Sequence, residues 1–92
     1  MINYLNRCVL LGRYKSITTI DDNIACLIIV VNDKDGDITI PIIVGSKIAD
    51  LVISKCEENC LMGIKAKIDA DDEGIIIKAE QISFLEHNER AD

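Results

Sequence analysis

The stretch from residue 24 to residue 44, IACLIIVVNDKDGDITIPIIV, constrains the fold more than any other part of the chain. It places two runs rich in β-branched residues on either side of DKDG, where Asp and Gly favour a tight turn. We therefore predict a β-hairpin with strands at Ile24–Asn32 and Asp37–Val44. Because Pro41 has no backbone N–H to donate, the second strand is expected to have an edge or a bulge there.

The segments on either side of this hairpin predict a strand before it and a helix after it. Leu5–Tyr14 is the predicted strand, with Gly12 expected at a bulge or sharp bend, and residues 15–23 are expected to form a loop or hairpin connection. After the hairpin, Ser46 is a candidate N-cap, and apolar residues follow it at helical spacing. This pattern predicts about three helical turns ending near Glu58.

The last third of the chain predicts two more strands. Cys60–Ile68 alternates between apolar and other residues, DADDEG (69–74) predicts a turn, and Ile75–Glu86 predicts a closing strand. The order strand, strand, strand, helix, strand, strand is that of an all-β, five-stranded OB-fold barrel with its one α-helix between strands 3 and 4. We expect one OB-fold domain over residues 1–87 and a frayed C-terminal tail over residues 88–92.

Composition excludes several classes of protein. The chain has 92 residues, enough for one core, and lacks the run of about 18 apolar residues that a membrane-spanning helix needs. No secretory signal is visible, so we expect a cytoplasmic protein. The four cysteines are expected to be free thiols, with a Cys56–Cys60 disulfide as the alternative. No metal-ligand spacing, nucleophile motif or phosphate-binding loop is present, so we expect no cofactor and no enzymatic activity.

Charge is distributed unevenly along this acidic chain, whose net charge is −6. Residues 1–20 contain three cations and no acid, whereas residues 21–37 contain five acids and one lysine. Residues 57–74 contain six acids and two lysines. Both acidic segments coincide with predicted turns, where they favour solubility and repel a phosphate backbone.

Four segments in order resemble the bacterial single-stranded DNA-binding protein family. NRCVLLGRYKS resembles the opening strand of that family, in which Asn-Arg leads into an apolar run and then Gly-Arg. IACLIIVVND is similar to its second strand, and ITIPIIVGSKIADLVISKCEENCLMGIKAKI to its third strand, helix and fourth strand. AEQISFLE resembles the closing segment, so the similarity covers about residues 3–86. It implies non-catalytic binding of single-stranded DNA in replication or recombination, and self-association as a dimer or tetramer.

The candidate DNA-contacting residues are basic or aromatic and lie mostly on the first and fourth strands. They are Arg7, Arg13, Tyr14, Lys15, Lys65, Lys67 and Tyr4. Lys67 takes the place of an arginine in the family, and Tyr14 is a candidate stacking ring between two cations. The alternatives are that the cations only solvate a strand, that Tyr14 packs on the barrel rim and that Tyr4 belongs to a subunit interface. Phe84 is expected in the core.

The chain departs from the family in its scarcity of aromatic residues. Val44 stands where the family commonly has an aromatic residue at the end of the third strand, and both predicted hairpin turns are acidic. We therefore expect weak, salt-sensitive DNA binding with little base stacking. The alternative is an OB-fold protein-interaction module, an accessory subunit that contacts replication or recombination proteins and has lost nucleic-acid binding.

Overall fold

The computed structural model describes residues 6–85, and in it five strands close into a barrel with one helix between the third and fourth strands. The elements are β1 (Arg7–Thr19), β2 (Ile24–Asp33), β3 (Gly36–Gly45), α1 (Ser46–Lys55), β4 (Leu61–Asp71) and β5 (Gly74–Phe84). The strands follow the order β1-β2-β3-β5-β4 around the barrel. The predicted fold class is therefore confirmed. The expected tail at residues 88–92 lies outside the described residues.

The barrel interior is aliphatic, as expected for strands that alternate between two faces. The fully or almost fully buried side chains come from β2, β3, β4 and the helix. They are Ala25, Leu27, Ile29, Ile42, Val44, Ala49, Val52, Met62, Ile64 and Ala66. The single phenylalanine, Phe84, is half-buried and packs against this core, which confirms its expected place. In the described part of the chain, no helix is long and apolar enough to cross a membrane.

Strand β1 extends further than the sequence predicted. Residues 15–19 were expected in a loop, but they continue the strand, and Ile17 lies opposite Leu27 of β2 and packs against the core. The register shifts between Tyr14 and Ser16, two residues beyond the expected position at Gly12. This bulge lets β1 bend while its later residues keep their pairing with β2.

Gly12 has a different function from the predicted bend: it permits close packing of β1 on β2. A Cβ atom at this position would lie 2.9 Å from Ile29 Cδ1 and 3.0 Å from the Val30 carbonyl oxygen. These distances are shorter than ordinary van der Waals contacts, so a larger residue would force the strands apart.

The helix and the second hairpin differ from prediction at their ends. Gly45, rather than Ser46, is the N-cap residue, and α1 ends at Lys55, three residues before Glu58. Strand β4 extends to Asp71, so the first half of the predicted DADDEG turn is strand. Gly74 at the end of that turn has φ +132°, a conformation that glycine adopts readily.

Pro41 lies at a free edge, as its missing N–H predicted. Strand β3 is antiparallel to β2 along its whole length, with Pro41 opposite Ile28 and no bulge. On its other side, β3 is parallel to β5, and the two strands pair only at Ile43 and Lys78 within the described residues. The barrel is thus closed between β3 and β5 by a single pair of residues, fewer than between any other neighbouring strands in the described part of the chain.

Candidate nucleic-acid interface

Strands β1 and β4 bring three of the predicted cations together on the outside of the barrel. Arg7 lies opposite Lys67, and Val9 lies opposite Lys65 in the antiparallel register. Because successive strand residues point to opposite faces, these side chains share one surface. We call this surface the β1/β4 face. It consists of Arg7, Val9, Leu11, Gly63, Lys65 and Lys67.

Arg7 on this face is held by an acid that the sequence analysis did not identify. Its Nε lies 2.8 Å from Glu80 Oε1, and its Nη2 lies 3.2 Å from Glu80 Oε2. This two-point hydrogen bond lowers the pKa of the Glu80 carboxyl and raises the pKa of Arg7. The pair joins β1 to β5 across β4 and compensates the charge of Arg7.

A second ion pair lies beside the first. Lys78 Nζ on β5 is 3.3 Å from Asp69 Oδ2 on β4. The pKa of Asp69 is lowered chiefly by a hydrogen bond from the Ala70 backbone N–H and then by Lys78. Within residues 6–85, by contrast, no ion pair engages Lys65 or Lys67. These two lysines therefore have no ion-pair partner among the described residues, although the charge of Lys67 also helps to lower the pKa of the Asp69 and Glu80 carboxyls.

The other predicted residues form a separate group near the loop between α1 and β4. Arg13 Nη1 donates a hydrogen bond to the Asn59 carbonyl oxygen at 2.9 Å. Tyr14 is half-buried and packs against the core, and burial raises the pKa of its hydroxyl. Lys15 is exposed beside the bulge. Six strand residues, or about 20 Å, separate Arg13 from Arg7.

The structure places the predicted residues at the two ends of the β1–β4 ladder, with Arg13, opposite Leu61, on the same outward side of β1 as Arg7. Arg7, Lys65 and Lys67 form one group, and Arg13, Tyr14 and Lys15 form the other. Much of the Tyr14 ring is used in packing, as the alternative expectation held, which leaves less of it for base stacking. The predicted DNA contacts of all these residues stay predictions, and Tyr4 lies outside the described residues.

The β1/β4 face also has an apolar part that adjoins the cations. Val9 is 73% exposed and Leu11 is 55% exposed, while Cys8 and Leu10, which alternate with them along β1, pack against the core. Leu85 is 53% exposed and approaches Gly63 on the neighbouring strand. Strict alternation along β1 predicts this division between inward and outward residues. The sequence pattern did not identify Glu80 as the partner of Arg7, because Glu80 lies at a register shift between β4 and β5.

The cysteines give no sign of a reactive or metal-binding centre in the described region. All four are free thiols, as the first of the two expectations held. Burial, followed by the neighbouring Cys60, raises the pKa of Cys56 to about 12, which keeps it protonated near neutral pH. Among residues 6–85, no cluster of three or more His, Cys, Asp or Glu side chains is placed to hold a metal ion.

Comparison with known proteins gives a fold relationship. No protein-family model matches the chain, and no curated protein matches it. Among solved structures, the mitochondrial single-stranded DNA-binding protein Rim1 of S. cerevisiae is similar, with a TM-score of 0.77 at 12% identity, over 95% of this chain and 100% of that one. A second crystal form of Rim1 has a TM-score of 0.73 at 14% identity, over 94% and 100% of the two chains.

A bacterial structure gives the same result. The SSB domain of a Synechococcus sp. protein has a TM-score of 0.65 at 12% identity, over 96% of this chain and 100% of that one. The chain therefore has the fold of single-stranded DNA-binding proteins. At the level of fold, the resemblance that its sequence suggested is confirmed.

Proposed function

We propose that this protein is a non-catalytic, cytoplasmic single-stranded DNA-binding protein that acts in replication or recombination. One observation carries the proposal. Lys65 and Lys67, unpaired within residues 6–85, lie beside Arg7 on the outside of a barrel whose fold is shared with single-stranded DNA-binding proteins. Regularly spaced cations on a strand suit the repeating phosphates of an extended nucleic acid.

The proposed binding depends on phosphate contacts more than on base stacking. Phe84 packs on the core, and Tyr14 is half-buried, so few aromatic faces are available in the described residues. Each stacked base would contribute about 1–3 kcal/mol, and most of that contribution is absent here. Binding that rests on counterion release is weak and decreases steeply with salt.

A titration of fluorescein-labelled oligo-dT followed by fluorescence anisotropy tests the proposal. With about two phosphate contacts, from Lys65 and Lys67, and a slope of about −0.7 for each, affinity should fall roughly 7-fold between about 50 and 200 mM salt. A duplex of equal length serves as the comparison ligand. No binding by the folded protein at tens of micromolar and low salt would overturn the proposal.

We also propose that the protein forms a dimer or tetramer through the apolar part of the β1/β4 face. Leu11 lies about 13 Å along β1 from Arg7, so a contact there leaves the cationic part accessible. Light scattering of wild type should give a mass above 10.2 kDa, and Leu11→Glu should lower it. The matched control is Ile53→Glu on α1, whose side chain is 61% exposed. A monomeric wild type would contradict this proposal.

The second candidate function is an OB-fold protein-interaction module, an accessory subunit that contacts replication or recombination proteins. The scarcity of available aromatic faces and the acidic turns favour it. This candidate predicts that the folded protein binds no oligo-dT even at low salt, so the same titration distinguishes the two functions.

A further inference from the structure

The barrel has a gap between the first halves of β3 and β5. The two strands are parallel and pair only where Ile43 meets Lys78, within the described residues. In β3, Gly36–Ile42 precedes this point, and β2 is its paired neighbour among residues 6–85. Pro41 cannot supply an N–H to a ladder with β5, which explains why the pairing does not continue. A stretch of seven residues, about 23 Å long, therefore has one edge that no other described strand pairs with.

The gap contains an aliphatic groove of about 280 Å³. Its lining residues are Pro41, Ile43, Ile75, Ile76 and Ile77. Ile75 is 78% exposed, the highest value among the exposed large apolar side chains of residues 6–85, and Ile38 of β3 is 48% exposed. An open strand edge next to exposed isoleucines favours pairing with another extended chain.

Acidic turns lie at the open end of the groove, away from the Ile43–Lys78 pairing. Strands β3 and β5 are parallel, and each begins at a hairpin turn, so the two turns lie at the same end of the barrel. We call residues 33–37 and 71–73 the acidic turns. The first has three aspartates and one lysine, and the second has three acids and no cation. Lys78 at the closed end of the groove is already paired with Asp69.

The negative charge of the acidic turns indicates which kind of molecule can bind in the groove. A phosphate backbone would be repelled by the acidic turns, and so would the same surface of a second copy of the chain. An extended peptide with alternating aliphatic and basic residues fits instead. Its aliphatic side chains would enter the groove, and its lysines or arginines would lie near the carboxylates of the turns.

We propose that this groove binds an extended cationic segment of a partner protein, which adds as a strand to the open edge of β3. Main-chain hydrogen bonds to β3 would supply part of the affinity, and alternate side chains would supply specificity. The site is separate from the β1/β4 face, so the inference stands whether or not the protein binds single-stranded DNA.

The test uses a labelled peptide of about eight residues in which lysine and valine alternate, matched to the length of the open edge. Anisotropy should report binding by the folded protein, and a peptide alternating glutamate with valine should not bind. A third peptide, with the lysines and valines in two separate blocks, controls for simple charge attraction. It should bind more weakly than the alternating peptide, because it cannot place a valine at every second position.

Two variants locate the peptide on the protein. Ile75→Lys should weaken binding of the alternating peptide about tenfold, through lost apolar contact and added like charge. Ile53→Lys changes another exposed isoleucine, on α1, in the same way and should leave binding unchanged. Equal effects of the two variants would overturn the proposal, as would no binding at ~100 µM by protein with a native circular dichroism spectrum.

Two further measurements distinguish the proposed peptide from the other candidate occupants of the groove, a nucleic acid and a second copy of the chain. The first is a titration followed by amide chemical shifts. The peptide should shift the amide signals of residues 38–40, 42 and 75–77, whereas oligo-dT, titrated separately, should leave these amides unchanged. Oligo-dT shifts in the groove would make it a nucleic-acid surface and overturn the proposal. A lower oligomeric mass for Ile75→Lys than for wild type would show that a second copy covers the groove, and would also overturn it.

Discussion

The β1/β4 face and the end of the barrel that carries the acidic turns have opposite charge. On the β1/β4 face, Arg7 and the two unpaired lysines leave a net positive surface even after Glu80 compensates Arg7. At the other surface, the acidic turns contain six acids and one lysine. Since negative charges repel a polyanion, the proposed binding of nucleic acid is expected on the first surface rather than beside the acidic turns.

The two surfaces also differ in how completely their strands are paired. Strand β1 pairs with β4 from Arg7 to Arg13, which holds the cations at fixed spacing. Strands β3 and β5 pair at one position in the described residues and leave an apolar groove. The net charge of −6 therefore includes two surfaces of opposite charge, one positive and one negative.

The largest expected effect comes from reversing the charge of the two unpaired lysines. Lys65→Glu with Lys67→Glu removes two phosphate contacts, which alone should weaken oligo-dT binding about 25-fold at 0.1 M salt. The slope of log affinity against log salt should become shallower by about 1.4. Anisotropy titrations over a series of salt concentrations measure both quantities.

The control for this variant carries the same change of net charge elsewhere. Lys47→Glu with Lys55→Glu alters two exposed lysines of α1 and should have a much smaller effect on binding. If the two double variants weakened binding equally, the β1/β4 face would have no special role and the protein would respond only to overall charge.

Much of this comparison could be predicted from sequence, because it depends on local pattern. The β2–β3 hairpin follows from two β-branched runs around DKDG, and the faces of β4 follow from alternation. Met62, Ile64 and Ala66 are buried, as predicted, while Lys65 is exposed. Pro41 correctly indicated an edge, since its effect depends only on its missing N–H.

What the sequence did not predict depends on pairing between distant residues. Glu80 meets Arg7 across 73 positions of the chain, and a register shift in β5 sets which residue reaches it. The continuation of β1 to Thr19 likewise depends on β2, because Ser16–Thr19 contains few apolar residues of its own. Local propensity cannot reveal such tertiary partners.

The next largest effect concerns the packing that supports the β1/β4 face. Gly12→Ala would place a methyl group 3.0 Å from a backbone oxygen of β2 and should destabilise the fold by about 1–3 kcal/mol. Urea unfolding followed by circular dichroism measures the change. Gly63→Ala is the matched control on β4, where the nearest atom is the flexible Leu85 side chain at 3.4 Å. Equal loss in both variants would contradict the close-packing role of Gly12.

A smaller effect, of opposite sign, is expected from releasing Arg7. Glu80→Gln removes the carboxylate that holds the guanidinium at 2.8 Å and frees one more cation for phosphate. Oligo-dT affinity should rise about fivefold at 0.1 M salt, the contribution of one contact. Asp50→Asn, an exposed acid on α1, is the control for loss of one negative charge. Weaker binding by Glu80→Gln would mean that the ion pair positions Arg7 rather than masking it.

The smallest expected effect comes from the acidic turns themselves. Neutralising Asp71, Asp72 and Glu73 as amides should raise oligo-dT affinity about twofold at low salt, because these charges act only through long-range repulsion. The gain should vanish near 0.15 M salt, where the screening length is about 8 Å. The same variant should bind the alternating lysine–valine peptide less tightly, since it loses the complementary charge beside the groove. Opposite responses follow from the opposite charges of the two ligands. Unchanged peptide affinity in this variant would contradict a role for the second acidic turn at the groove.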